Sequence, residues 1–302
     1  MRPTLKQLQY LVAIAETGKF ADAARLMNVS QPSLSTQLAD MELELGTVLV
    51  ERGRHGAVLT PKGEETVRRA RLVLRSVEEL KAHASASGNS FSGRLRLGVI
   101  PSVGPYLLPN VTSRLHSLYP EFRLSVQEEK TIDLDQRLRE GRLDTLISTA
   151  EDHGNANSIE LFREDLWVCV ANDHRIAAGH GPLMPGDLEG LSLLSLGYGH
   201  NLNMAIREVA RVSGAFVSHE YEGTSLDAIR QMAAMGAGVA VLPSLYALVE
   251  ARRDRALVVR RINHPVARRI ISLVWRETSP MQEQLTEFAE VLREVAADLL
   301  KG

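Results

Sequence analysis

A short polar segment divides this chain into two parts with different sequence patterns. Residues 85–93 read Ser-Ala-Ser-Gly-Asn-Ser-Phe-Ser-Gly, a composition typical of a flexible linker. Before it, the apolar residues follow helical spacing, in short stretches over 1–60 and in one continuous run over 61–85. After it, strand patterns alternate with helical ones. We therefore expect a small helical domain followed by a larger α/β part.

The α/β part has the pattern of two lobes. In the first unit, strands are expected at 94–99, 122–127 and 143–148, with helices at 105–118 and 133–140. In the second, strands are expected at 166–171, 191–196 and 239–242, with helices at 202–212 and 225–235. A strand at 270–275 and a helix at 281–300 end the chain. The alternation predicts parallel sheets covered by helices, with a ligand cleft between the two units.

Composition and charge exclude several classes of protein. No apolar stretch reaches the roughly 18 residues of a membrane span, and the N-terminus lacks a signal-peptide pattern. We therefore expect a cytoplasmic protein without membrane contact. The net charge is −2, but residues 30–39 contain no acid and a basic cluster at 52–55 follows them, which suits a phosphate backbone. The single cysteine, Cys169, excludes an intramolecular disulfide and a multi-cysteine metal site.

Residues 20–59 have the spacing of a winged helix-turn-helix. A short helix at 20–27 precedes the turn Asn28-Val29, and Ser30 is a suitable N-cap for a second helix that carries Pro32 in its first turn. Gly46 should end that helix, whose buried stripe is Leu34, Leu38, Met41 and Leu45. Residues 48–50 and 57–59 can pair as a hairpin, the wing.

The exposed face of the second helix suits the major groove. Its side chains are small and polar, and glutamine can read adenine edges. The basic residues of the wing would meet phosphates. A helical hairpin in an ordinary globular core would share the spacing, but the acid-free face and the basic hairpin favour DNA. The candidate DNA-binding residues are Gln31, Pro32, Ser33, Ser35, Thr36, Arg52 and Arg54.

The N-terminal residues resemble a known family. The motif Val29-Ser30-Gln31-Pro32-Ser33-Leu34-Ser35, the pair Leu45-Gly46, the run Leu49-Val50-Glu51-Arg52 and the pair Leu59-Thr60 are similar to those of the LysR-type transcriptional regulators. The resemblance implies an α+β multidomain fold. It places a winged helix-turn-helix at 1–60, a linker and dimerisation helix at 61–86, and a flexible linker at 87–93. A two-lobed effector-binding domain like periplasmic binding proteins follows at 94–302, with lobe I about 94–162 and 269–302 and lobe II about 163–268.

The helix at 61–86 is expected to form a dimer. Its apolar stripe is longer than a 60-residue domain needs, and two-fold DNA sites require two recognition helices. The alternative is that the helix packs only on its own domain. In the LysR family this helix is the dimer linker, and effector domains also pair into tetramers. The stripe consists of Val67, Ala70, Val73, Leu74, Val77, Leu80 and Ala84.

The C-terminal part resembles the peroxide-sensing OxyR subgroup of that family but lacks its reactive cysteines. The motif Gly98-Val99-Ile100-Pro101-Ser102-Val103-Gly104-Pro105 and the motif Gly223-Thr224-Ser225-Leu226 carry the resemblance. In the subgroup a peroxidatic cysteine follows a Gly-His pair, whereas here Gly199-His200 is followed by Asn201, and the resolving-cysteine region around Ala210 has none. An amide cannot attack peroxide, so the thiol–disulfide switch cannot operate. Cys169 lies in an apolar run and is expected to be an inert core residue.

The remaining polar residues of the cleft predict an effector site. Ser102, Thr131, His200 and Arg269 match the residues around the reactive thiol of the subgroup. Hydroxyls at helix N-termini suit a carboxylate or another small anion. The alternatives are that the hydroxyls only cap helices, that His200 is a hydrogen-bonded loop histidine, and that the pocket holds only water. The candidate effector-binding residues are Ser102, Thr131, His200, Asn201, Thr224 and Arg269.

The sequence separates the functions that this chain could have. A ligand-controlled transcriptional regulator is favoured, with promoter DNA, a small effector and RNA polymerase as partners and a homodimer or homotetramer as its assembly. An OxyR-like oxidative-stress regulator with a non-cysteine mechanism is the alternative, and a cytoplasmic solute-binding protein does not explain the first 90 residues. An enzyme is not expected, because no nucleophile elbow, zinc-binding motif or phosphate loop is present. We predict no catalytic residue, metal or cofactor.

Overall fold

The computed structural model describes residues 3–53, 56–85, 94–219, 223 and 225–301. The predicted linker at 87–93 lies outside these residues. The N-terminal part contains α1 (Leu5–Thr17), α2 (Phe20–Leu26), α3 (Gln31–Leu45), β1 (Val50–Gly53), β2 (Gly56–Leu59) and α4 (Pro61–Ser85). None of the helices in the described ranges is long and apolar enough to cross a membrane.

Local sequence signals set the ends of the N-terminal helices. The hydroxyl of Thr4 accepts a hydrogen bond from the backbone of Gln7, and the Gln7 side chain accepts one from the backbone of Thr4 in return, which closes a capping box on α1. Ser30 caps α3 through the backbone N–H of Ser33, as predicted, and Gly46 ends α3 in the left-handed conformation. These caps fix where α3 begins and therefore which side chains form its exposed end.

The wing differs from its predicted register. β1 starts at Val50 rather than at residue 48, and it pairs antiparallel with β2 so that Arg52 lies opposite Ala57. Leu49 is instead a buried residue before the strand, and its backbone N–H donates to the carboxylate of Glu42 on α3. The predicted strand at 48–50 overlaps β1 only at Val50, because Leu49 is buried in the core before the strand begins.

The apolar stripe of α4 serves two purposes along its length. Val67 and Ala70 are buried in the core of the N-terminal domain, and Leu74 packs against the same core. Val73 and Leu80 are instead largely exposed. The first half of the helix therefore packs on its own domain, as the alternative expected, and dimerisation through the exposed residues of the second half stays a prediction.

The C-terminal part forms two sheets joined by one long strand. Its elements are β3 (Arg94–Val99), α5 (Gly104–Leu118), β4 (Arg123–Glu128), α6 (Thr131–Arg139), β5 (Thr145–Ser148), β6 (Ala156–Ala171), β7 (Ser192–Leu194), α7 (Asn201–Ser213), β8 (Phe216–Val217), α8 (Leu226–Ala234), β9 (Val239–Pro243), α9 (Ser244–Val249), β10 (Leu257–Arg261), β11 (Arg268–Arg276) and α10 (Gln282–Lys301). The strand order is β4-β3-β5-β11-β6-β9-β7-β8, with β10 on β6.

The sheets are mixed, so the prediction of parallel sheets was only partly right. β3 pairs parallel with β4 and β5, and β7 pairs parallel with β8 and β9. β11 runs antiparallel to β5 and β6, and β6 runs antiparallel to β9 and β10. The reason is that the chain passes from the first sheet to the second along β6 and returns to the first sheet along β11. The returning strand β11 therefore runs antiparallel to β6.

Each sheet has its own hydrophobic core. The first core combines residues between 95 and 162 with residues between 271 and 296, and it also includes Leu245 of α9. The second core contains only residues between 166 and 267. β6 contributes to both sheets and both cores, whereas β11 pairs within the first sheet. Of the residues that follow the carboxyl ends of β3 and β4, Ser102 contacts Arg269 on β11, and Thr131 contacts the second lobe at Asn201. The polar residues predicted from the sequence follow those strand ends.

Candidate functional site

The N-terminal end of α3 presents most of the predicted DNA-binding side chains to solvent. Gln31, Pro32, Ser33 and Thr36 are exposed, whereas Ser35 is half-buried. On the opposite side, Leu34, Leu38 and Met41 are buried in the domain core. Leu45, predicted to be buried with them, is exposed at the last turn of α3. On β1, Arg52 is exposed as expected, and the predicted residue Arg54 lies outside the described residues.

A small pocket lies where the two lobes of the C-terminal part meet. Five of the six predicted effector-binding residues line it, and the sixth, Thr224, lies outside the described residues. The polar lining residues are Ser102, Thr131, His200, Asn201 and Arg269, and the apolar ones are Ile100, Pro101, Leu196 and Leu202. The structure thus brings together side chains that are up to 167 positions apart in the chain.

An ion pair that sequence reasoning missed holds Arg269 in the wall of the pocket. Arg269 lies directly opposite Glu164 in the antiparallel pairing of β11 with β6. Its Nε donates to Glu164 Oε1 at 2.7 Å, and its Nη2 donates to the hydroxyl of Ser102 at 2.7 Å. The side chains of Arg269 and Glu164 are 5% and 0% exposed. The sequence predicted this strand only from residue 166, whereas β6 begins at Ala156. No sequence signal therefore indicated that Glu164 would be buried beside Arg269.

The hydroxyls of the pocket bond across the site instead of capping their helices. Ser102 accepts from Arg269, and the N-cap position of α5 is Val103, without a side-chain cap. Thr131, the first residue of α6, accepts from the backbone N–H of Asn201 at 3.3 Å. The alternative that these hydroxyls are only helix caps is therefore wrong for both residues. It holds for Ser225, whose hydroxyl caps α8.

His200 and Arg269 each direct a polar atom into buried space. His200 follows Gly199, which has a left-handed backbone with φ of 88°, and the turn folds the imidazole inward to 5% exposure. Burial lowers the pKa of His200, and the nearby charge of Lys130 lowers it further, so the ring is neutral at pH 7. His200 Nε2 and Arg269 Nη1 are buried and have no hydrogen-bond partner among the described residues.

The pocket is nearly uncharged and very small. The charge of Arg269 is balanced by Glu164 at 2.6 Å. His200 is neutral, and the charges of Lys130 and Asp133 act on it in opposite directions. The cavity has a volume of about 10 Å³, which is about the space that one ordered water needs. Hydroxyls, one guanidinium N–H group and one imidazole nitrogen therefore converge on a site of the size of a single small polar molecule.

Cys169 lies away from this pocket. It is a fully buried residue of β6, and burial raises the pKa of its thiol to about 12. A thiol with such a pKa has almost no thiolate at neutral pH and is therefore a poor nucleophile. This agrees with the expectation that it is an inert core residue.

Comparison with family models covers both parts of the chain. Residues 5–64 match the bacterial regulatory helix-turn-helix protein, lysR family, and residues 88–297 match the LysR substrate binding domain. The chain is 37% identical to the DNA-binding transcriptional dual regulator OxyR of Escherichia coli (strain K12) over 96% of this chain and 94% of that one. It is 36% identical to a probable hydrogen peroxide-inducible genes activator of Streptomyces viridosporus over 99% of this chain and 96% of that one.

Solved structures show the same fold. A cysteine-to-aspartate variant of full-length OxyR from Pseudomonas aeruginosa superposes with a TM-score of 0.79 at 32% identity, over 96% of this chain and 97% of the other. A cysteine-to-serine mutant of Corynebacterium glutamicum OxyR, H2O2-bound, gives a TM-score of 0.67 at 33% identity, over 100% of this chain and 96% of the other. In both of these relatives a cysteine has been replaced.

Proposed function

Because the chain belongs to the LysR family of DNA-binding transcriptional regulators, we propose that α3 reads promoter DNA and that a small, uncharged polar effector binds in the pocket between the lobes. The family consists of regulators with an effector-binding domain, not of enzymes. The observation that carries the effector proposal is that Arg269 and His200, which line a charge-balanced cavity, each have a buried polar atom without a hydrogen-bond partner among the described residues.

For DNA recognition we propose that Gln31, Ser33 and Thr36 contact base edges, with Pro32 and Ser35 allowing close approach to the groove. All but Ser35 are exposed at one end of α3, and a glutamine can bond an adenine through two hydrogen bonds. Arg52 and Arg54 of the wing would contact phosphates. A homodimer would present two copies of α3 to the half-sites of a two-fold operator, about 10.5 bp or a multiple apart.

Replacing Gln31 with Ala tests this assignment. The variant should lose about 1–3 kcal/mol of affinity for the operator and almost nothing for random DNA, as measured by gel shift or fluorescence anisotropy. Leu43→Ala is the control, because Leu43 is on the same helix and 83% exposed but lies near the other end. An equal loss at operator and random DNA for Gln31→Ala would contradict a role in base recognition.

The charge balance favours an uncharged effector over the anion that the sequence suggested. An anion gains most binding free energy from an unpaired cation, and the guanidinium of Arg269 is already paired with the carboxylate of Glu164. The pocket instead offers donors from Ser102, Thr131 and Arg269, together with an imidazole nitrogen that can accept or donate according to its tautomer. Such a set suits a molecule that both accepts and donates, such as an amide, an alcohol or a peroxide.

The size of the cavity limits how tightly a ligand can bind without rearrangement. Small ligands gain at most about 1.5 kcal/mol for each non-hydrogen atom, so a molecule of two such atoms binds no tighter than about 6 mM. Micromolar binding needs at least about six non-hydrogen atoms by the same rule. We propose that an effector of this size separates Thr131 from the backbone of Asn201, a bond of 3.3 Å that now joins the two lobes.

Isosteric pairs of amides and carboxylates separate the two kinds of effector. Acetamide and propionamide should raise the melting temperature of the full-length protein more than acetate and propionate at equal concentration, because binding to the folded state stabilises it by RT ln(1 + [L]/Kd). Ser102→Ala should remove the difference. A larger shift with the carboxylates would support an anion, and no shift with any of the four probes would contradict the effector proposal for molecules of this size.

Hydrogen peroxide is a second candidate, bound reversibly instead of reduced. Several relatives are named hydrogen peroxide-inducible genes activators, and the cysteine-to-serine mutant of the Corynebacterium glutamicum relative is described as H2O2-bound. In this chain Asn201 stands where the resemblance places the reactive cysteine, so peroxide would be held only by hydrogen bonds in the millimolar range. Removal of peroxide by catalase should then reverse any change in DNA binding without a reductant, whereas a change that persists would contradict reversible binding.

A further inference from the structure

We propose that Phe20 of α2 is a positioning residue for DNA binding, because its ring holds the guanidinium of Arg52 in the wing. This inference rests on the proposed phosphate contact of Arg52. The guanidinium carbon of Arg52 lies over the ring of Phe20 at 4.6 Å from the ring centre, which is within the range of a cation–π interaction. Phe20 itself is half-buried and packs against the core of the domain, so its ring is a fixed support.

The contact with the ring of Phe20 leaves N–H donors of Arg52 available for hydrogen bonds to DNA. A guanidinium carries five N–H donors, more than contact with one aromatic ring can occupy. Arg52 is exposed, and among the described residues no acidic side chain pairs with it. The ring therefore stabilises the guanidinium on one side. The exposed N–H groups can still donate two hydrogen bonds to the oxygens of a phosphate.

Backbone contacts hold the wing and the start of α2 together, so the stack does not depend on a mobile hairpin. The backbone N–H of Ala57 donates to the carbonyl of Gly18 at 2.8 Å, and Ala57 lies directly opposite Arg52 in the hairpin. Gly56, with φ of 131°, passes so close to the same carbonyl that a Cβ there would lie at 2.4 Å from it. The hairpin is thus anchored two residues before Phe20.

The physical benefit is a smaller entropy loss on binding. A solvated arginine has many rotamers and loses most of them when its guanidinium is fixed on a phosphate. An arginine that already rests on a ring has lost part of this freedom in the unbound protein, so less is lost when DNA binds. Phe20 would act on every DNA sequence alike, because a phosphate contact carries no base information. This differs from Gln31, whose effect should depend on sequence.

The alternative is that Phe20 matters only as a core residue of the helix-turn-helix. A double-mutant cycle on the full-length protein distinguishes the two roles, with Phe20→Leu, Arg52→Ala and the double variant. Affinity for operator and random DNA is measured by anisotropy at several salt concentrations. Phe20→Leu keeps an apolar side chain and removes the ring, and Phe20→Tyr keeps the ring.

If the ring positions Arg52, Phe20→Leu should weaken binding to operator and random DNA by the same factor, about two- to fivefold for each protomer bound. Phe20→Tyr, which keeps an aromatic ring, should bind DNA with the affinity of the wild type. In the Arg52→Ala background, Phe20→Leu should have no further effect. Arg52→Ala alone should lower the slope of log affinity against log salt by about one for each protomer.

Two results would overturn the inference, and they are distinguishable. If Phe20→Leu weakens binding equally with and without Arg52, Phe20 has only a core role, although Arg52 can still contact phosphate. If Arg52→Ala leaves affinity and salt slope unchanged, the phosphate contact itself is wrong, and the inference fails with it. Circular dichroism checks that Phe20→Leu is folded. If it is not folded, Phe20→Tyr and Arg52→Lys replace it in the test. Phe20→Tyr should then retain the affinity for DNA, and Arg52→Lys should reduce it.

Discussion

Replacing Arg269 with Met would test how much the buried ion pair contributes to the stability of the C-terminal domain. The substitution leaves the carboxylate of Glu164 fully buried, and the hydrogen bond that remains to it among the described residues comes from the backbone N–H of Leu245 at 3.5 Å. Removing one partner of a buried pair costs about 3–5 kcal/mol, because the other charge is left without compensation. For a domain of this size, that corresponds to a fall in melting temperature of about 6–20 °C.

The neighbouring residue provides a matched control. Arg268 pairs with Asp165 at 3.0 Å, but its side chain is 53% exposed, and an exposed pair contributes at most about 1 kcal/mol. Calorimetry of the full-length protein should therefore show a large shift for Arg269→Met and a small one for Arg268→Met. The double variant Glu164→Met, Arg269→Met should recover most of the loss, because no charge is left buried. Equal small shifts for Arg268→Met and Arg269→Met would refute the reasoning.

Three further predictions follow from other parts of the molecule. Leu80→Glu, at a position that is 68% exposed on α4, should shift sedimentation from dimer toward monomer without unfolding the DNA-binding domain, and an unchanged dimer would exclude this end of the helix as the interface. Because burial lowers the pKa of His200, the unfolded chain takes up a proton that the folded one does not. Stability should therefore fall as pH drops below about 6.5, and it should fall less in His200→Gln; identical pH profiles would contradict this. Because burial raises the pKa of Cys169 to about 12, thiol reagents should react only after unfolding, and micromolar peroxide should leave the DNA footprint of wild type and Cys169→Ser unchanged. A peroxide response that disappears in Cys169→Ser would contradict it.

The features that sequence predicted well depend on neighbours in the chain. Ser30 caps α3 through a residue three positions away, and Gly46 ends the helix because glycine adopts the left-handed backbone without strain. The spacing of Leu34, Leu38 and Met41 in the same way determines which side of α3 is buried. The helix-turn-helix and its exposed residues could therefore be predicted without knowledge of the rest of the fold.

The composition of the pocket was predictable, but its chemistry was not. The single cysteine and Asn201 excluded a thiol switch from the sequence alone. The charge of the pocket, however, depends on Glu164, which meets Arg269 only because β6 and β11 pair in one particular register. Periodicity does not reveal a register between strands about 105 positions apart.

Tertiary structure alone also decided which apolar residues of α4 are buried and that Arg52 of the wing contacts the ring of Phe20. Val67 and Leu80 follow the same helical spacing, yet Val67 is buried in the core that α4 shares with α1, and Leu80 is exposed. Phe20 and Arg52 are joined by the docking of the hairpin on the turn after α1. A sequence determines the faces of each element through local spacing, whereas the contacts between elements depend on how the whole chain packs, and that is a property of many distant residues together.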